Sequence, residues 1–153
     1  MAWEYSRWAI GGWIALLFFI GGQTFPYGRA HTNPPIATEP VWDSPRTRAL
    51  AKRACFDCHS NETEWPGYSH VAPVSWIVQY DVDTGRAALN FSEWNRPGTS
   101  AHEAAEEVRQ GEMPPAMYRL MHAGAVLSPS DRELLARGLA RTFAAARGHD
   151  DGR

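Results

Sequence analysis

The sequence has a single lysine, Lys52, and only two cysteines, Cys55 and Cys58, among its 153 residues. Its formal net charge of −2 provides no basic surface for nucleic acid, so we expect no nucleic-acid partner. A structural zinc site needs about four ligands, but there is no second cysteine pair and no H-x3-5-H spacing. No segment alternates apolar and polar residues over the length of a strand. The chain is therefore predicted to be all-α.

The sequence does contain the pentapeptide Cys55-Phe56-Asp57-Cys58-His59. Its C-x-x-C-H spacing is typical of c-type haem attachment, in which each thiol forms a thioether with one vinyl group of the haem. One helical turn brings the two thiols together and places the histidine beneath the iron. We predict one covalently attached haem c, with His59 as an axial ligand. A thioredoxin-like cysteine pair would need a βαβ context, which the sequence lacks.

The second axial ligand separates electron carriers from haem proteins that bind a ligand. Met113, within Gly-Glu-Met-Pro-Pro, is the predicted ligand, because the two prolines stiffen its loop. A methionine opposite a histidine raises the reduction potential, as electron-transfer cytochromes require. His70 and His122 are alternative sixth ligands, and an open sixth position is a further alternative. Met117 and Met121 have i, i+4 spacing on a short predicted helix and are expected to fill the core.

The N-terminal segment, residues 8–25, carries no charge over 18 positions. We predict a single-pass transmembrane anchor over residues 8–27, after a flank of residues 1–7. No A-x-A-like site follows, which favours an uncleaved anchor over a signal peptide; a buried core helix is the other alternative. Because bacteria attach this haem outside the cytoplasm, the chain beyond Tyr27 is expected to face the periplasm or cell exterior from the inner membrane.

Beyond the anchor, three prolines favour an extended spacer over residues 28–43. The alternative is that this segment wraps the domain surface, with Trp42 packed on it. The haem domain is predicted over residues 44–147, followed by a frayed tail over residues 148–153.

Besides the short helix of Met117 and Met121, four helices are predicted in the haem domain. Their start signals, in chain order, are Ser44-Pro45, Pro73, Ser100 with Glu103, and Ser128-Pro129 with Asp131. Gly85 is expected to end the second helix and Gly111 the third. The stripes expected to be buried are Val74, Ile77, Val78 and Val82 in the second helix, and Leu135, Leu139 and Phe143 in the last. The result would be a small, cytochrome c-like helical domain.

These motifs resemble the haem-binding domain family of bacterial c-type cytochromes. The resembling segments are 55–63, 65–66, 68–69, 71–78, 85–86, 90–94, 111–114, Tyr118, His122 and 127–128. They cover residues 42–140 and exclude the predicted anchor. The resemblance implies one haem, with the attachment and both axial ligands supplied by Cys55, Cys58, His59 and Met113. Gly67 and Gly138 replace aromatic residues that are usual in the family.

A further set of residues is predicted to line the haem pocket. Aromatic rings would pack on the haem, and two arginines would pair with its propionates unless they are ordinary surface arginines. These residues are Trp65, Tyr68, Trp76, Phe91, Trp94, Pro114 and Tyr118, with Arg86 and Arg96 as the arginines.

The functional prediction is a membrane-anchored periplasmic electron carrier, not an enzyme. Its partners would be membrane or periplasmic redox proteins. Two glycine pairs within the anchor would also suit a subunit of a larger membrane complex. The alternatives are a peroxidase-like haem enzyme or a gas-binding sensor in which Met113 is displaceable, with His70 or His122 recruited as the distal acid or base.

Overall fold

The computed structural model describes residues 2–95 and 101–150. Within these residues the protein is helical, and its only β-type pairing is an isolated bridge between Thr38 and Glu93. The helices are α1 (Ala2–Gly22), α2 (Pro45–Ala54), α3 (Phe56–His59), α4 (Val74–Ala88), α5 (Ala101–Gln110), α6 (Ala116–Met121) and α7 (Pro129–Asp150), with 3-10 turns at Gly67–His70 and Ala123–Ala125. The all-α prediction is confirmed for this part of the chain.

The chain divides into two compact units. They consist of Met1–Thr32 with Trp65–Asp81 (the first unit) and Asn33–Glu64 with Val82–Arg153 (the second unit). α4 contributes its first half to the first unit and its second half to the second. The residues predicted to form one haem domain, 44–147, are therefore distributed over both units.

α1 is an apolar helix with exposed side chains. Every residue over 6–21 is exposed, including Trp8 at 82 % and Phe18 at 78 %. The helix ends at Gly22, so residues 23–27 of the predicted anchor lie outside it. In the part of the chain that the structure describes, no helix combines the length and the apolarity needed to span a bilayer.

The first unit is closed by contacts between the residues after α1 and the start of α4. The Gln23 side chain donates to the Ala72 carbonyl at 3.0 Å and accepts from the Ala72 N–H at 3.0 Å. Gly28 has φ +78°, and a Cβ there would lie 2.5 Å from the Ser75 carbonyl oxygen. The Phe25 and Trp76 rings meet edge to face at 5.8 Å. The chain after α1 is therefore held against α4.

In the second unit, residues 33–42 are attached along their length. The Asn33 side chain donates to the Thr63 carbonyl at 2.9 Å, and the Ala37 N–H donates to the Ser92 carbonyl at 2.9 Å. Trp42 packs against the core at the end of this segment. This part of the predicted spacer follows the domain surface, which was the alternative interpretation of its sequence.

The core of the second unit lies where α5 and α2 pack on α7. Its buried residues are Leu50, Ala51, Ala54, Phe56, Leu89, Phe91, Ala105, Val108, Leu127, Leu135, Ala136, Leu139 and Phe143. α2 and α7 approach closely at Gly138, where a Cβ would lie 2.1 Å from the Thr47 hydroxyl oxygen. A larger residue at Gly138 would force these helices apart, which accounts for the glycine at this position.

The predicted helix boundaries and faces were partly correct. Ser44 and Ser128 accept N–H groups of the first turns of α2 and α7, and the predicted stripe of α7 is buried. The predicted face of α4 was only partly correct, because Val82 is buried but Val74 and Ile77 are 41 % and 60 % exposed, whereas Ser75 is buried. The apolar pattern predicted that the side of α4 with Ile77 is buried, but the turn at Gly28 packs against the helix at Ser75 instead. The proposed Ser100 cap lies outside the described residues, and α7 continues through Gly148 to Asp150.

Candidate haem-attachment site

The attachment segment, residues 55–59, forms a tight turn between two helices. α2 ends at Ala54, and the Cys55 N–H still donates to the Ala51 carbonyl at 2.8 Å. The Cys55 carbonyl then accepts the N–H of Cys58 at 3.2 Å and of His59 at 2.9 Å. Phe56 is buried in the core and anchors the turn to it. One helical turn therefore brings both thiols and the imidazole to the end of α2.

The His59 ring is oriented by the backbone. Its Nδ1 lies 3.1 Å from the Leu89 carbonyl oxygen, and because a carbonyl only accepts, Nδ1 carries the proton. Burial lowers the pKa of His59, while hydrogen bonds to the carbonyls of Leu89 and Gly85 act in the opposite direction. The neutral ring keeps its lone pair on Nε2. This is the tautomer that a metal-bound histidine adopts when a carbonyl holds its other nitrogen.

Gly85 permits α4 to lie directly against the attachment segment. A Cβ at this position would lie 2.3 Å from the Cys58 carbonyl oxygen and 3.0 Å from the Cys58 Cβ. The prediction that Gly85 ends α4 was wrong, since the helix continues to Ala88. The glycine is required because no side chain fits between the helix and the Cys58 backbone.

Both cysteines are thiols and do not form a disulfide. Burial, and then the neighbouring Cys58, raise the pKa of the Cys55 thiol to about 12. Across residues 2–95 and 101–150, no three or more histidine, cysteine, aspartate or glutamate side chains converge in a group that would hold a metal ion.

The Met113 loop, residues 111–115, connects α5 to α6. Gly111 ends α5 in the left-handed region, at φ +82°, as predicted. Met113 is half-buried and packs, like Cys55 and Trp94, against the core of the second unit. The structure therefore places the predicted thioether ligand and the first attachment cysteine on the same hydrophobic core.

α6 returns to the attachment segment through Tyr118. The Tyr118 hydroxyl donates to Asp57 Oδ2 at 2.5 Å, and Asp57 Oδ1 accepts the Glu64 N–H at 2.9 Å. Burial, followed by the hydrogen bond to the Asp57 carboxylate, raises the pKa of Tyr118. The His122 ring stacks on Tyr118 at 4.1 Å, and its Nδ1 donates to the Tyr118 carbonyl at 3.1 Å.

The family model of the haem-binding domain matches residues 17–141 of this chain. The chain belongs to the haem-binding domain family. The match is wider than the resemblance seen in the motifs, because it begins within α1 instead of at residue 42. No curated protein and no solved structure matches the chain. The protein is therefore a haem protein. Its candidate haem-binding residues in the second unit are Cys55, Cys58, His59 and Met113.

The residues of the attachment segment fit a haem. Two thiols one helical turn apart suit two vinyl groups, and His59 presents a neutral Nε2 whose orientation is fixed by Leu89. Met113 adds a soft sulfur donor from a second loop.

The remaining predicted pocket residues lie in both units. Phe91 is buried in the second unit, where it stacks on Phe56 at 5.5 Å and on Trp94 at 6.2 Å, and Pro114 is buried beside Met113. Those in the first unit are Trp65, Tyr68, Trp76 and His70, where His31 stacks on Trp65 and meets His70 edge to face. For these four residues, contact with haem stays a prediction.

In the second unit, Arg86 holds the segment that follows His59. Its guanidinium donates to the Ser60 carbonyl at 2.8 Å and to the Thr63 hydroxyl at 2.9 Å, which fixes the chain just after His59. Pairing of Arg86 with a propionate stays a prediction. The other predicted arginine, Arg96, lies outside the described residues.

Two methionines differ from their prediction. Met117 is 72 % and Met121 56 % exposed, so neither fills the core. Both lie on α6, a two-turn helix that is attached by Tyr118 and Arg119 and has no buried residue. The i, i+4 spacing of Met117 and Met121 therefore correctly placed both on one face of a helix. It did not indicate that this face is exposed to solvent.

Sequence reasoning missed three contributors to the site. Asp57 was assigned no role within the C-x-x-C-H motif, and Arg119 was not distinguished from other arginines. The role of Leu89 lies in its carbonyl group, for which no side-chain pattern is a signal. Only the aspartate between two attachment cysteines, together with a downstream tyrosine, offered a signal in the sequence.

Proposed function

We propose that this haem protein is a membrane-anchored monohaem c-type cytochrome that transfers single electrons outside the cytoplasm. The observation that carries the proposal is an oriented His59 in the attachment segment, whose first cysteine, Cys55, packs against the same core as Met113. A haem bound by histidine and methionine accepts and releases one electron without binding a substrate at the iron. Donors and acceptors would be membrane or periplasmic redox proteins.

Each residue of the site has a defined task in this proposal. Cys55 and Cys58 would form the two thioethers and keep the cofactor in place. His59 would bind iron through Nε2, with Nδ1 held by the Leu89 carbonyl at 3.1 Å. That bond raises the basicity of the imidazole and fixes its plane. Met113 would occupy the opposite axial position and raise the reduction potential.

The aromatic side chains of the second unit support this task. Phe56 and Phe91 are 2 % and 1 % exposed, and the Trp94 ring lies parallel to Phe143 at 5.0 Å. Rings packed in this way exclude water and lower the local dielectric constant. A dry, apolar environment disfavours the extra positive charge of ferric iron, which again raises the reduction potential.

α1 supports attachment to a membrane. Its residues 6–21 are exposed on all sides and almost entirely apolar, which is unfavourable in water. A bilayer would cover them, with Trp8 and Tyr27 near the interfaces. The thioether chemistry would place the second unit on the outer side of the bacterial inner membrane. Carbonate washing of membranes that contain the full chain tests this, since a bilayer-inserted α1 resists extraction and a peripheral protein is released.

The central experiment is to express the full chain with haem-maturation machinery and to record ferric and ferrous spectra with and without carbon monoxide. We expect the weak long-wavelength band of methionine bound to ferric haem, and a ferrous form that resists carbon monoxide. Met113→Ala should abolish both properties. Met117→Ala is the matched control, because Met117 is 72 % exposed on the neighbouring helix, and it should preserve both.

Covalent attachment is tested in the same preparation. The haem should remain on the denatured protein in wild type and be lost from the Cys55→Ser, Cys58→Ser double variant. If the wild-type haem is released by denaturation, the c-type assignment fails. If carbon monoxide binds readily and the methionine band is absent, the protein is a ligand-binding haem enzyme or sensor instead of an electron carrier.

A further inference from the structure

The Met113 loop is short, and three N–H groups of its first half share one acceptor, while the Gly111 N–H also reaches the Val108 carbonyl at 3.2 Å. The Glu107 carbonyl accepts the N–H groups of Gly111 at 3.1 Å, Glu112 at 3.0 Å and Met113 at 3.2 Å. These bonds end α5 and set the direction in which the chain leaves it. They hold the chain only as far as the Met113 nitrogen, so the residues after it need another support.

That support comes from Arg119 on α6. Its Nη1 donates to the Gly111 carbonyl at 3.0 Å and also to the Pro114 carbonyl. Gly111 and Pro114 are on opposite sides of Met113 in the loop. One cation therefore joins the two ends of the segment that carries the thioether, and such charge-assisted bonds are stronger than neutral ones.

α6 is in turn joined to the attachment segment. Tyr118, the residue before Arg119, donates its hydroxyl to Asp57 at 2.5 Å. Asp57 lies between the two attachment cysteines. Consecutive residues of α6 thus hold the two parts of the candidate site: Tyr118 binds the segment that provides His59, and Arg119 binds the loop that provides Met113.

We propose that Arg119 is a positioning residue that keeps Met113 on the haem iron. The inference rests on the proposed function, because it requires Met113 as the axial ligand. A thioether is a weak ligand, and a mobile loop would lose conformational entropy each time its sulfur bound iron. A loop already ordered by Arg119 binds without that loss, so external ligands such as carbon monoxide compete poorly.

The test compares Arg119→Leu and Arg119→Lys in the full-length haem protein. Leucine retains an apolar stem but removes both donated bonds, so the ferric methionine band should weaken and the carbon monoxide affinity should rise about tenfold or more. Lysine retains a cationic donor and should give an intermediate affinity. Arg137→Leu is the matched control, because Arg137 is a 60 % exposed arginine on α7 with a long ion pair to Glu133, at 3.7 Å; it should change neither property.

Amide hydrogen exchange provides a readout that does not depend on iron ligation. In Arg119→Leu, the amides of Glu112 and Met113 should exchange faster, while the Cys58 and His59 amides should not change. A change throughout the protein would instead indicate general destabilisation and would overturn the specific role of Arg119.

The outcomes separate this inference from the proposed function. If wild type shows the methionine band and Arg119→Leu shows it equally with unchanged carbon monoxide affinity, the inference fails and the electron-carrier proposal stands. If wild type itself lacks the band, Met113 is not the ligand, and both fail. Should the leucine variant yield no haem protein, the lysine variant decides, since an unchanged affinity there overturns the inference.

Discussion

The attachment segment and the Met113 loop are the two parts of the candidate site, and they are held by different kinds of interaction. The attachment segment continues from α2, and its backbone bonds are local, from Cys55 to Ala51 and from His59 to Cys55. The Met113 loop connects α5 to α6 but is itself not helical. It depends on the Glu107 carbonyl on one side and on the Arg119 side chain on the other.

This difference has a consequence for the chemistry. A covalent attachment must form once and persist, so a rigid turn against α4 is suitable. An axial thioether must stay bound through many cycles but forms a weak bond, so its retention depends on the order of the loop. Substitutions that damage the attachment segment should therefore prevent maturation, whereas those that damage the loop should leave a mature protein with altered ligation.

The largest expected effect is on the attachment side, in Gly85→Ala. The added Cβ would lie 2.3 Å from the Cys58 carbonyl oxygen, which belongs to the backbone and is unable to rotate away. We expect a loss of about 3 kcal/mol in unfolding free energy and little covalently bound haem. Thermal unfolding and the haem retained on denatured protein measure these two effects.

The matched control for Gly85→Ala is Gly124→Ala, because nothing lies within 4 Å of a Cβ at Gly124. Near-normal haem content in Gly85→Ala would mean that α4 and the attachment segment separate at little cost. Their close contact would then not be what holds the turn.

The next largest effect is expected from breaking the hydrogen bond that joins α6 to the attachment segment. Tyr118→Phe removes the hydroxyl that donates to Asp57 and leaves that carboxylate with the Glu64 N–H at 2.9 Å. A hydrogen bond to a charged group contributes about 1.5–3 kcal/mol, so we expect a loss of about 2 kcal/mol in the free energy of unfolding. Chemical denaturation of Tyr118→Phe, Asp57→Asn and the double variant measures the coupling. If the two effects are simply additive, Tyr118 does not join α6 to the attachment segment.

The loop alone is tested by Gly111→Ala. At φ +82° an alanine is strained, and we expect a loss of about 1–2 kcal/mol in stability. The added Cβ would meet the Arg132 guanidinium at 3.2 Å, but that side chain end can move. The covalent haem should be retained while the ferric methionine band weakens. A variant with less attached haem but an intact band would reverse the assignment of roles between the two halves.

The sequence predicted the attachment side better than the loop, for a physical reason. C-x-x-C-H and the Ser44-Pro45 start signal are local patterns, and local hydrogen bonds within α2 and α3 follow them. Gly111 was also recognised, because a glycine after a helical segment has a specific backbone role. The arginine that closes the loop was missed, because its partners are carbonyl groups, which every residue carries.

The errors have the same origin. Gly85 carried the same helix-ending signal as Gly111, but its role is set by a contact with Cys58, which lies 27 positions away in the sequence. The apolar pattern of α4 and the methionine spacing on α6 each marked a face without indicating what would cover it. Tertiary contact decides which glycine ends a helix and which apolar face is buried, and a single sequence contains little of that information.

The smallest expected effect is a difference in how the stability of the attachment side and of the Met113 loop depends on pH. On the attachment side, Arg48 of α2 binds Glu39 at 2.5 Å and, against the opposing effect of burial, lowers the pKa of that carboxyl below its ordinary 4.5. A carboxyl whose pKa is lowered by folding stabilises the protein above its unfolded-state pKa. That stabilisation is lost as the pH falls through the folded-state value. The acceptors of Arg119 are the backbone carbonyl groups of Gly111 and Pro114, which do not ionise.

We therefore expect Glu39→Gln to reduce the free energy of unfolding by about 1 kcal/mol at pH 7 and by a smaller amount at pH 3. The difference between wild type and Glu39→Gln should shrink steadily below pH 4.5, as measured by denaturant unfolding at a series of pH values. Arg119→Leu should show a loss that is the same at both pH values. If the Arg119→Leu loss also disappears in acid, a carboxylate contributes to the loop, and the contrast between a titratable attachment side and a non-titratable loop does not hold.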